Sequence, residues 1–147
     1  MSHLWFLYAL MAAVFWGFAY AVSGKILQAG IPPVFLIFLE SVMFITFYTF
    51  FVLSSGAFKT GMGIINANKT ILMWMTLMIL SSIAGRYIIL LSISLKNPTI
   101  SSLIEITYPF FTLIFAWLLF REVHLTWATA IGSFLIFLGV GMIYLKG

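Results

Sequence analysis

Three ionisable side chains stand inside long apolar runs: Glu40, Arg86 and Glu105. At helical rise, Glu40 lies about 10 Å and Glu105 about 9 Å from the start of its run, and Arg86 about 8 Å from the end of its own. When successive runs alternate in direction, these depths fall in one layer. A charge held against hydrocarbon costs at least about 2.5–3.5 kcal/mol. The expected arrangement therefore turns all three inward, with Arg86 beside one or both carboxylates. Two carboxylates sharing one guanidinium leave one that can take up and release a proton. That is the chemistry of a site exchanging a proton for a cationic or zwitterionic solute. The competing reading is a salt-bridged clamp that fixes helix register.

The neighbours of these residues are suited to a lined cavity. Ser101, Glu105, Pro109, Thr112 and Ala116 recur at helical spacing on one stripe. Pro109 has no N–H to give the Glu105 carbonyl four residues earlier, and interrupted helices are where membrane carriers expose backbone to solutes. Tyr108, Trp16 and Tyr20 are the expected aromatic walls of this substrate and proton site. Small residues supply the packing. Ala9, Ala13, Gly17 and Ala21 repeat every four residues, as do Ala128 and Gly132, with Gly139 a heptad further. Such stripes let membrane helices approach closely.

Other chemistries find no support. The chain has no cysteine and two histidines far apart, so no metal-ligand spacing exists. No nucleophile–base pair is visible, and neither an enzyme nor a cofactor is expected. The basic residues are scattered singly, which is not a nucleic-acid footprint.

The elements that must hold the three charges follow from composition. Of 147 residues, 64% are hydrophobic and 7% charged, with seven Lys/Arg against three Glu. Ten charges do not cover the surface of a soluble domain of this size, so the chain is expected to lie in a lipid bilayer. Spanning hydrocarbon takes about 20 apolar residues. Five segments qualify, at about 4–23, 34–53, 71–91, 99–119 and 125–145. The fold class expected is an all-α, five-helix transmembrane bundle, with residues 1–147 forming a single domain and the first helix uncleaved. The runs are continuously apolar, not alternating, which excludes a membrane β-barrel.

The connections are short. Gly24-Lys25 through Pro32-Pro33 is expected to close the first span and open the second. Residues 54–70 form the longest connection, Lys96-Asn97-Pro98 turns into the fourth span, and Arg121 through His124 separates the last two. Trp5, Trp74, Trp117 and Trp127 suit an interfacial belt on the amino-terminal side. Lys59, Lys69 and Arg121 fall on that side and Lys25, Lys96 and Lys146 on the other. Three against three gives the positive-inside rule no direction, and dual topology with antiparallel pairing is one outcome of that tie.

In order along the chain, Trp16-Gly17, Pro32-Pro33, Ser94-Leu95 through Ser101, Tyr108-Pro109-Phe110, Leu119-Phe120-Arg121-Glu122, Ile131-Gly132 and Leu138-Gly139-Val140 form a pattern. It resembles the EamA-type domain of the drug/metabolite transporter superfamily over nearly the whole chain. The resemblance implies a secondary carrier of small metabolites or drug-like solutes in a prokaryotic cytoplasmic membrane. Family members usually carry two five-helix repeats of inverted topology. A single repeat thus implies an antiparallel homodimer or a heterodimer with a second half. One departure stands out: the family often has Arg seven residues after the second Pro, where this chain has Glu40. The alternative function is a non-transporting assembly or scaffold subunit whose buried charges are structural.

Overall fold

A computed structural model describes residues 4–122 and 126–146. The described residues are all-helical, with no strand: α1 (Leu4–Gln28), α2 (Pro33–Ser54), α3 (Ala57–Ala67), α4 (Lys69–Leu95), α5 (Pro98–Glu105), α6 (Tyr108–Phe120) and α7 (Trp127–Lys146). Five stretches are long and apolar enough to cross a membrane: α1, α2, α4, α5 with α6, and α7. Large apolar side chains point outward along them, Phe18 and Met43 at 70% exposure among them. In a multi-pass membrane protein these faces meet lipid tails, which solvate them as water does not. Of the expected separation of the last two spans at Arg121 through His124, Arg121 and Glu122 lie past the end of α6 and residues 123 and 124 lie outside the described residues.

By internal contacts the chain divides into two units, residues 27–91 and residues 1–26 with 92–147. In the first, Pro33 opens α2 at a position where no N–H is needed. Left-handed glycines make the turns: Gly30 at φ 92° and Gly56 at φ 71°. The 54–70 connection, the longest expected from the sequence, holds α3. The Asn68 side chain then accepts from the Thr70 N–H at 3.0 Å and starts α4.

In the second unit, the first helix does not close at Gly24-Lys25. It runs on to Gln28, and Gly24 serves packing instead. A Cβ built there would lie 2.6 Å from the Pro98 ring at the start of α5. Beside that contact Ser23 is buried, and Ser101, 2% exposed, shares a 2.8 Å hydrogen bond with Ser92. Asn97 caps α5 by accepting from the Ile100 N–H at 2.8 Å. Phe110 and Phe137 meet edge to face at 4.9 Å and join α6 to α7. The fourth span is broken, not merely kinked, at Ile106-Thr107.

Candidate functional site

Glu40 stands on α2 and Arg86 on α4, and the fold brings them together within one unit. Arg86 donates through Nε to Glu40 Oε2 at 3.0 Å and through Nη2 to Oε1. The planar fork matches both carboxylate oxygens, the strongest geometry an Arg–carboxylate pair adopts. Arg86 is 19% and Glu40 25% exposed at the side chain, so each is partly withdrawn from solvent. The pair is formally neutral, and it ties two apolar helices to one register.

Glu105 belongs to the other unit and sits in a different backbone setting. It is the last residue of α5 and is half-buried. Past it the ladder of hydrogen bonds is interrupted: the Thr107 N–H turns back to the Ile104 carbonyl at 3.2 Å, and the Phe110 N–H to Thr107 at 3.0 Å. Pro109, at the first turn of α6, has no N–H for the Glu105 carbonyl. Among the described residues no group donates a hydrogen bond or an ion pair to the Glu105 carboxylate. A free carboxylate thus stands at the negative end of a short helix, beside backbone carbonyls released by the break. That combination gathers negative charge and negative partial charge at one point of the span.

The other expected site residues are placed as follows. Trp16 and Tyr20 meet at a tilt of 38° with ring centroids 5.8 Å apart on α1. Tyr108 is 64% exposed, and its carbonyl accepts from the Thr112 hydroxyl at 3.1 Å. Pro109 is half-buried and borders a small crevice with Ile106, Phe110, Ser133 and Phe137. Ser101 does not line a cavity with Glu105, as its stripe suggested, because its hydroxyl is engaged in packing. Ala9, Ala13, Gly17 and Ala21 lie exposed along α1, and Ala128 on α7, while Gly132 and Gly139 are half-buried. A Cβ at Gly17, Gly132 or Gly139 would touch nothing within 4 Å.

One feature escaped the sequence reading. Between α6 and α7 an apolar cleft of about 680 Å³ is lined by Phe110, Ile114, Trp117, Phe134, Phe137 and Leu138, within the range of small-molecule sites. Its signal was present in the facing stripes Phe110–Ile114–Trp117 and Phe134–Phe137–Leu138. In uniformly apolar helices, however, such spacing does not stand out.

Compared with known proteins, residues 3–145 match the model of the EamA-like transporter family. No curated protein matches the chain, and no solved structure does.

Proposed function

This chain belongs to the EamA-like transporter family, a family of transporters and not of enzymes, and on that premise we propose that it is one half of a proton-coupled carrier for a small cationic or zwitterionic solute. The observation that carries the reading is the contrast between a closed Glu40–Arg86 pair and a Glu105 at a helix break with no partner among the described residues. The pair is a clamp that holds α2 to α4 at no net charge. Glu105 is the exchanging group. Its carboxylate binds either a proton or the cationic group of the solute, and each displaces the other. The released carbonyls at the break supply further acceptors. Trp16, Tyr20, Tyr108 and Pro109 wall the path, and the cleft between α6 and α7 takes apolar parts of the solute.

A second five-helix half completes the carrier, and the reading assigns that place to an antiparallel second copy. Two features support it. Loop lysines and arginines divide three against three between the sides. The small-residue stripe of α1 has no packing neighbour at Gly17 among the described residues, which suits it to a helix of another chain.

The test is Glu105→Gln in proteoliposomes carrying an internal pH dye, with a panel of organic cations and amino compounds added outside. The wild type is expected to release protons on addition of its solute, and the variant to fold and assemble but release none. Proton release equal to wild type would overturn the assignment. Loss of assembly with no measurable exchange in either protein would favour the scaffold reading, in which the charges are structural.

A further inference from the structure

We propose that α3 is an interfacial anchor that docks on anionic lipid headgroups. The helix has two faces. At 100° per residue, Ile64, Ala57, Gly61, Ile65, Phe58 and Met62 occupy a continuous arc of roughly 160°, while Asn66, Lys59, Gly63, Ala67 and Thr60 fill the opposite side. Much of the apolar arc is not spent on the protein: Phe58 is 57%, Ile64 51% and Met62 41% exposed.

The occupant of that face follows from how the helix is tethered. Only Ser55 and Gly56 separate α3 from α2, and only Asn68 separates it from α4. Both neighbours are long and apolar enough to cross a membrane, so both ends of α3 are pinned to one bilayer surface. Two linking residues reach at most about 7 Å, and α3 itself is only about 16 Å long. It therefore lies along the surface, beside α2, with its apolar arc at the boundary of headgroups and acyl chains. Charge specifies which headgroups. Residues 55–70 contain Lys59 and Lys69 and no Asp or Glu, and an anionic leaflet attracts such a segment by roughly a fivefold factor per lysine. A zwitterionic surface offers no such gain. The anchor grips the ends of the two helices that carry the Glu40–Arg86 pair in their far halves.

The absence of cysteine allows a clean test on the full chain. Met62→Cys and, separately, Asn66→Cys are labelled with an environment-sensitive fluorophore and reconstituted into vesicles of phosphatidylcholine alone or mixed with phosphatidylglycerol. In the mixed vesicles the Met62→Cys label is expected to be quenched by brominated lipid, and the Asn66→Cys label by aqueous iodide. Omitting phosphatidylglycerol, adding high salt, or replacing Lys59 and Lys69 by Gln should each reduce the lipid quenching, the docking equilibrium shifting by roughly fivefold per lysine for the Gln variants. Lys59→Arg with Lys69→Arg should retain it, which separates loss of charge from misfolding. A Met62→Cys label that iodide reaches freely in both vesicle types would overturn the anchor. Lipid quenching that is equal in both and insensitive to salt would overturn the role of anionic lipid.

Discussion

Glu40 and Glu105 are the same side chain at similar expected depths and both are half-buried, yet they differ in partners and in backbone setting. Glu40 sits inside an unbroken helix with both oxygens engaged by one guanidinium. Glu105 ends a helix eight residues long, with no donor on its carboxylate among the described residues. An unbroken helix has no spare polar groups, so a charge within it needs a partner from another helix. A broken helix carries its own polar groups at the ends, and a charge there is solvated in part by backbone. The first setting suits a joint and the second a binding group.

The sharpest way to break this contrast is to strand Glu40. Arg86→Met keeps an unbranched apolar stem and removes the fork, leaving a carboxylate partly withdrawn from solvent with no countercharge. Removing one partner of a buried pair costs about 3–5 kcal/mol, and the partial exposure here reduces that to about 2–4. Thermal unfolding in detergent should show a large loss for Arg86→Met and recovery of most of it in Glu40→Gln with Arg86→Met, whereas Glu105→Gln should unfold close to wild type. Equal losses in Arg86→Met and Glu105→Gln would erase the distinction between joint and binding group.

A second pair of positions sharpens it by about half as much. Gly24 and Gly17 lie seven residues apart on α1, two turns along one helix. At Gly24 the Pro98 ring leaves no room for a methyl group, and at Gly17 nothing lies within 4 Å. Gly24→Ala should cost about 1–3 kcal/mol through overpacking. Gly17→Ala should be neutral or gain up to about 1 kcal/mol in the isolated chain from helix propensity. In the proposed antiparallel pair the sign at Gly17 should reverse, read as weaker association by crosslinking or mass photometry. An unchanged association would remove α1 from the proposed seam.

Five apolar segments of spanning length and the strong effect of Pro109 were legible because each has one physical cause. Hydrocarbon thickness sets segment length, and a missing N–H breaks a ladder. Gly24 was misread because composition marks a turn glycine and a packing glycine alike, and only the arrival of Pro98 tells them apart. The helix within residues 54–70 was hidden by Gly61, Gly63, Asn66 and Asn68, which argue for a loop by propensity. The apolar arc that overrides them shows only at helical spacing. The Glu40–Arg86 partnership was anticipated only as Arg86 beside one or both carboxylates, since charge and depth restrict the choice without deciding it.

The smallest test concerns how the two units turn the chain. In residues 27–91 the left-handed turns fall on glycine, Gly30 and Gly56, but α6 ends on Arg121 at φ 58°, a conformation that side chains other than glycine rarely adopt. Arg121 stacks over the Trp117 ring at 5.3 Å, a contact worth about 0.5–1 kcal/mol at an exposed site. The left-handed backbone costs about 1–2 kcal/mol, so the stacking offsets part of the strain. Arg121→Gly removes both and should be neutral or stabilising by up to about 1 kcal/mol. Arg121→Ala keeps the strain and loses the ring, and should unfold earlier than wild type by about 0.5–1 kcal/mol. Thermal unfolding should therefore rank Gly above Ala at this position, with wild type between or level with Gly. Gly and Ala level with each other and both below wild type would mean that stacking, not backbone geometry, sets how the broken span ends.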